Sequence, residues 1–180
     1  MSVKVSVYIA TSLDGFIARK NGDIDWLSGG EDSEDYGYAE FMSTVDFIVM
    51  GRNTYEKVLT FGGWPYQKKV IVLTSRDLPV PADLTEKVER LHLSPAELIG
   101  ELQSRDIRQI YLDGGATIQR FLRAGLVDEM TITTIPILIG EGLPLFGALG
   151  KDISVELLRS QSFTNGFVQN KYRVLKPEVV

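Results

Sequence analysis

Leu112-Asp113-Gly114-Gly115-Ala116-Thr117 joins an apolar run to a segment with helical spacing, and its glycines sit at the junction. Met50-Gly51-Arg52-Asn53-Thr54-Tyr55 has the same arrangement earlier in the chain. Strand, glycine turn and helix, met twice, predict an α/β sheet with mostly parallel strands. In such a sheet these junctions lie at the carboxyl ends of the strands, where ligands collect. Free N–H groups at a helix start attract anions, and glycine lets a phosphate come close. Arg52 adds a fixed positive charge and Thr54 a hydroxyl donor. Two readings stand side by side: glycines that serve a phosphate-bearing ligand, and glycines that merely permit tight turns. Neither turn matches G-x-G-x-x-G with a downstream acid, so the Rossmann fingerprint is absent.

Outward from these turns the alternation continues. Residues 3–10 read as a strand that enters a loop rich in Asp and Gly, up to Gly30. Residues 33–44 predict a helix, with Tyr38, Phe41, Met42 and Val45 at helical spacing. Strands are predicted over 46–50, 69–74, 88–93, 108–112 and 129–135, with a helix over 54–61 between the first two. Ser94-Pro95-Ala96-Glu97 combines an N-cap, a proline at the first helical position and a capping-box glutamate, so a helix should run to about Ser104. Another helix follows the second glycine turn to Ala124, with Gly125 as its C-cap. At the end, residues 153–163 and 167–175 flank Thr164-Asn165-Gly166, whose Asn-Gly pair favours a tight hairpin. The expected architecture is one domain over residues 1–180, with helices on both faces of the sheet and an antiparallel C-terminal hairpin.

Composition narrows the function classes. Apolar residues make up 44 % of the 180 and charged residues 24 %, which suits a globular domain. Acids outnumber bases 24 to 19, a formal charge of -5, which disfavours nucleic acid as a partner. With no cysteine and one histidine, neither thiolate nor polyhistidine metal sites are expected. The first residues lack a secretory pattern, and the apolar stretch 132–149 is broken by Pro136, Gly140, Glu141, Gly142 and Pro144. A cytoplasmic protein that does not span a membrane is the expectation.

Further residues carry possible chemistry. Thr74-Ser75-Arg76 closes a buried strand with two hydroxyls beside an arginine, a combination that suits a phosphate monoester or an ordinary polar strand exit. Asp32, Glu34 and Asp35 gather at the predicted start of a helix, where the macrodipole favours carboxylates in any case. His92 has no acid or nucleophile near it in sequence. Trp26 and Trp64 suit a pocket wall or simple packing.

The blocks Ser12-Leu-Asp-Gly-Phe-Ile-Ala18, Met50-Gly-Arg-Asn-Thr-Tyr-Glu56, Thr74-Ser-Arg76 and Asp113-Gly-Gly115 occur in this order. Phe121-Leu-Arg-Ala-Gly-Leu-Val-Asp-Glu129 and Pro136-Ile-Leu-Ile-Gly-Glu-Gly-Leu-Pro-Leu-Phe146 follow them. With these six blocks the chain resembles the dihydrofolate reductase-like superfamily over nearly its whole length. It is most similar to the reductase domain of the bifunctional riboflavin-biosynthesis deaminase/reductase and its free-standing relatives. The resemblance implies a three-layer α/β fold, a mostly parallel sheet with an antiparallel C-terminal hairpin, and NADPH along the sheet's carboxyl edge. It places Ala10 and Ile17 beside the nicotinamide, within a mobile loop after the first strand. Gly51, Arg52 and Thr54 would hold phosphates, with Arg52, Ser75 and Arg76 near the 2′-phosphate and Thr74 also in the cofactor site. Gly114, Gly115, Ala116, Thr117 and Ile118 would cradle the pyrophosphate and nicotinamide side. Asp35 stands where the superfamily carries its substrate-binding acid, with Thr133 as the strand threonine supporting it and Trp26 as a loose substrate-side match. Asp32 and Glu34 are the alternatives in another helix register.

The activity implied is hydride transfer from NADPH to a small heterocyclic or carbonyl substrate, of the riboflavin-pathway type. Dihydrofolate reduction proper and non-catalytic nucleotide binding are the alternatives. A homodimer is expected by the same resemblance, with no metal.

Overall fold

A computed structural model describes residues 2–27 and 34–176. Eight strands form one sheet in the order β5-β4-β3-β6-β1-β7-β10-β9. They are β1 (Lys4–Ser12), β3 (Phe47–Gly51), β4 (Lys69–Leu73), β5 (Val88–Leu91), β6 (Gln109–Asp113), β7 (Glu129–Ile135), β9 (Val155–Ser162) and β10 (Val168–Val174). The first six are mutually parallel, whereas β10 runs antiparallel to both β7 and β9. The central strands read Phe-Ile-Val-Met, Val-Ile-Val-Leu and Ile-Tyr-Leu because both of their faces are covered.

On one face Val5, Val7, Val49, Ile71, Ile110 and Leu112 pack against α3 (Pro95–Ser104) and α4 (Gly115–Arg123). On the other, Ile48, Met50, Val70, Val72 and Tyr111 meet the aromatic side chains of α1 (Tyr38–Ser43) and α2 (Arg52–Val58). The Ser94/Glu97 capping box forms as the sequence predicts, with reciprocal bonds of 3.3 and 2.8 Å. Gly125 adopts φ 68°, and the N–H groups of Gly125 and Leu126 return to Leu122 and Phe121, a Schellman closure of α4. Gly166, at φ 85°, turns the terminal hairpin.

Two expectations fail. The helix predicted over 33–44 begins only at Tyr38, because Tyr36 (φ 55°) and Gly37 (φ 86°) are left-handed and no α-helix passes through them. Ser33 and Asp32 lie outside the described residues. The loops after β1 and β7, read as irregular, pair with each other through β2 (Phe16–Ala18) and β8 (Leu143–Pro144). Among the described residues no helix is long and apolar enough to cross a membrane.

Candidate active site

The two glycine turns lie side by side, because Met50 at the end of β3 is in register with Asp113 at the end of β6. Their fit is reciprocal. A Cβ on Gly51 would stand 2.8 Å from Thr117 Oγ1, and one on Gly114 would collide with Thr54 Oγ1. Gly114 also needs its φ of 89° to turn into α4. Turn packing alone therefore requires glycine at both positions. What makes the edge suitable for an anion is separate: neither α2 nor α4 receives a side-chain cap, so the first N–H groups of both helices are left for a ligand or water. Thr54 and Thr117 hydroxyls stand between them.

Asp113 is the most perturbed acid at this edge. Alternation along β6 puts it on the same face as Tyr111, among aromatic rings. It is half-buried by surface, yet dense enclosure by heavy atoms raises its pKa to about 6. The Gly114 N–H, at 2.8 Å, and the Tyr66 hydroxyl oppose that rise only in part. Burial likewise pushes the Tyr38 phenol to about 12, with the Asp113 charge adding to it. Tyr66 and Tyr111 move in the same direction for the same reasons. The sequence alone presents Asp113 only as part of a glycine turn. The available signal was an acid two residues after a buried tyrosine, directly before paired glycines.

The loop after β1, mobile by the resemblance, is tied to the loop after β7. Asp14 accepts from the Ser12 hydroxyl (2.6 Å) and from the N–H groups of Ile139 (3.3 Å) and Gly140 (2.7 Å). Leu13 N–H bonds Ile137 O, and Leu145 N–H bonds Gly15 O. These contacts press Ile17 onto the start of α4, its Cδ1 lying 2.9 Å from where a Gly115 Cβ would be. Further along, Asp23 pairs with Lys57 of α2 at 2.6 Å.

The other sequence candidates divide. Ala116, Ser75 and Arg76 are exposed at the carboxyl edge, and Thr74 Oγ1 accepts the Arg76 N–H at 3.1 Å. Arg52 is held by Glu56 at 2.5 Å, so its charge is already compensated. Ile118 is fully buried in the core and its N–H bonds Gly114 O, leaving it nothing to offer a cofactor. Ala10 packs beside buried Trp26, Ile135 and Phe167, and the Trp26 Nε1 has no hydrogen-bond partner among the described residues.

Asp35 precedes α1 rather than lying within it. It is exposed, and its two oxygens accept from the N–H groups of Gly37 and Ala39, both at 2.9 Å. Those bonds hold its carboxyl below the ordinary range, so it is ionised at neutral pH. The expected Thr133–Asp35 partnership is replaced by another. Buried Thr133 accepts from Gln169 Nε2 at 3.0 Å, and the same amide lies 3.0 Å from both Tyr8 Oη and Tyr36 O. Among the described residues no group of three His, Cys, Asp or Glu side chains is arranged to hold a metal.

The family model described as the RibD C-terminal domain matches residues 3–169. Bacillus subtilis YwjB, an uncharacterised protein, is 36 % identical over 166 residues, covering 91 % of this chain and 94 % of its own. A solved structure of a Shewanella sp. PV-4 protein assigned to riboflavin biosynthesis superimposes with a TM-score of 0.91 at 40 % identity. That match covers 98 % of this chain and all of the other. The Thermotoga maritima diaminohydroxyphosphoribosylaminopyrimidine deaminase/5-amino-6-(5-phosphoribosylamino)uracil reductase shares the fold, with a TM-score of 0.72 at 18 % identity. There 97 % of this chain covers 57 % of the larger one.

Proposed function

Because the chain belongs to the RibD C-terminal domain family, which is reductase-like, we propose that it is an NADPH-dependent oxidoreductase acting on a small heterocyclic or carbonyl compound. The observation that carries this reading is a carboxyl group of raised pKa, Asp113, set directly before the uncapped start of α4 and beside that of α2. An anion and a proton donor are thus served at one edge.

The residues present fit the cofactor. Gly51, Thr54, Gly114, Gly115, Ala116 and Thr117 would hold the pyrophosphate. Ser75 and exposed Arg76 would meet the 2′-phosphate, with Arg52 and Thr74 behind them, and Ala10 and Ile17 would border the nicotinamide. When bound, NADPH supplies the hydride that adds to the carbon of a C=N or C=O bond. Asp113 gives the proton to the nitrogen or oxygen of that bond, and its pKa near neutrality suits the task. Asp35, ionised and fixed by two N–H groups, orients the substrate rather than protonating it. Alignment of donor and acceptor contributes the larger share of the rate. The chemistry is that of a 5-amino-6-(5-phosphoribosylamino)uracil reductase. A homodimer goes with this reading, and exposed Val155, Leu157 and Leu158 of edge strand β9 offer it a surface.

Titration of NADPH and NADH against the purified protein, followed by nicotinamide fluorescence, tests the proposal. Tight NADPH binding with weak NADH binding is expected. Arg76→Ala should weaken NADPH about tenfold or more and leave NADH unchanged. Failure of both cofactors to bind refutes the reading. Binding without consumption across a substrate screen would identify a nucleotide-binding protein instead.

A further inference from the structure

The carboxyl edge continues past the two glycine turns to the far side of β7, where the turn of the terminal hairpin reaches the segment before α1. Between them lies a cavity of about 550 Å3, with Glu34, Asp35 and Tyr36 on one side and residues 162–165 on the other. Its aromatic surfaces come from Tyr36 and Phe163, whose rings meet edge-on at 4.9 Å. The Tyr36 ring is also stacked on Phe167 at 5.4 Å. A planar ring fits such a wall.

The charge of the cavity is one-sided. Among the described residues Glu34 and Asp35 are its only ionisable side chains besides the Tyr36 phenol, and no described Lys, Arg or His lines it. Both carboxylates belong to exposed residues, and Asp35 is fixed in place by the backbone of residues 37 and 39. Neutral groups nearby are largely engaged within the protein. Asn165 donates to the Tyr36 hydroxyl at 2.7 Å and accepts the Phe167 N–H at 3.1 Å, while Tyr36 O accepts from Tyr8 at 2.5 Å.

Sequence extends the asymmetry. From Asn21 to Gly51 there is no Lys, Arg or His, yet eight acids fall between Asp23 and Asp46. Cations bordering this stretch are already paired, none of them with Glu34 or Asp35: Arg19 and Lys57 offset Asp25 and Asp23 within it, while Lys20 pairs with Glu141 and Arg52 with Glu56. On the hairpin, Arg159 donates to Gln161 at 2.5 Å, short of the turn. Arg76, the exposed cation assigned to the cofactor, follows β4, separated from β7 by β3, β6 and β1.

We infer that the substrate of this site is a planar heterocycle without a phosphate group, neutral or cationic where it faces Glu34 and Asp35. The inference rests on the reductase reading of the site and narrows it: the chemistry of a ribosylaminopyrimidine reductase is kept, and the phosphorylated form of such a substrate is disfavoured. A phosphate dianion brought to two carboxylates meets repulsion that partial desolvation strengthens and salt weakens. A protonated or neutral amino group meets attraction or none.

The test compares 5-amino-6-(5-phosphoribosylamino)uracil with the same compound after phosphatase treatment, each added to the protein saturated with NADPH. Binding is read by tryptophan fluorescence and turnover by NADPH consumption. The dephosphorylated compound should bind about tenfold or more tightly than the phosphorylated one at low ionic strength, with the margin shrinking as salt is added. Glu34→Lys should narrow or reverse that margin. Equal or tighter binding of the phosphorylated compound overturns the inference, as does a margin indifferent to both salt and Glu34→Lys, or failure of both compounds to bind. Each of these results leaves the reductase reading standing as long as NADPH binds; loss of NADPH binding itself strikes that reading first.

Discussion

Replacing Asp113 with Asn removes a carboxyl that the fold holds at a pKa of about 6 against an ordinary 3.8. Below pH 3.8 the group is protonated in both folded and unfolded chains and makes no difference. Between 3.8 and about 6 the folded chain binds the proton more tightly, so rising pH lowers stability. Above 6 the full penalty of a buried carboxylate remains. At about 1.4 kcal/mol per pKa unit, the penalty at pH 8 is about 3 kcal/mol. Asparagine has nearly the same shape, can accept the Gly114 N–H and carries no charge. The variant should therefore be more stable than the parent at pH 8 by up to about 3 kcal/mol, with the gain fading toward pH 4. In a chain of this size that is roughly 5–10 °C in Tm. Urea unfolding followed by tryptophan fluorescence across pH 4–8 measures it. Turnover should fall about a hundredfold or more, since Asn has no proton to give. In the parent, kcat/KM should decline as pH rises through about 6. Equal stability of parent and variant at pH 8, or a gain that does not vary with pH, would refute the assignment of a raised pKa. Full activity in the variant would remove Asp113 from proton transfer.

Other perturbations test the architecture around it. Gly51→Ala should cost about 1–3 kcal/mol by forcing its methyl against Thr117 Oγ1, and Thr117→Ala should restore much of the loss in a double-mutant cycle read by chemical denaturation. Asp14→Ala removes the acceptor for Ile139 and Gly140, and amide exchange at those two residues should accelerate about tenfold or more while β6 stays protected. Asp106, at φ 58°, occupies the left-handed position after α3, where Ile107 N–H returns to Leu102 O. Asp106→Gly should raise stability by about 0.5–1 kcal/mol, seen as a higher midpoint at unchanged m-value.

Much of the fold was legible because its signals are local. β-Branched runs at 47–50 and 69–73, the Ser94/Glu97 capping box and the Asn165-Gly166 turn each act within a few residues, and each appears where the sequence placed it. The order of strands and helices, and hence the position of both glycine turns at the carboxyl edge, follows from them. The sequence by itself determined that two glycine turns would lie at the carboxyl edge of a mostly parallel sheet and that an acid-rich, cation-free stretch would lie between Asn21 and Gly51.

Tertiary structure decided the rest, because those outcomes depend on residues far apart in the chain. Gly51 must be glycine on account of Thr117, and Gly114 on account of Thr54. Tyr36 is held left-handed among Phe163, Phe167, Asn165 and Gln169, which cuts α1 short and takes Asp35 out of the helix. Gln169, from the terminal hairpin, claims Thr133. Asp14 ties together two loops that each look irregular alone. Asp113 acquires its raised pKa only when the folded chain encloses it, since a carboxyl's charge is penalised by the water it loses and not by its neighbours in sequence.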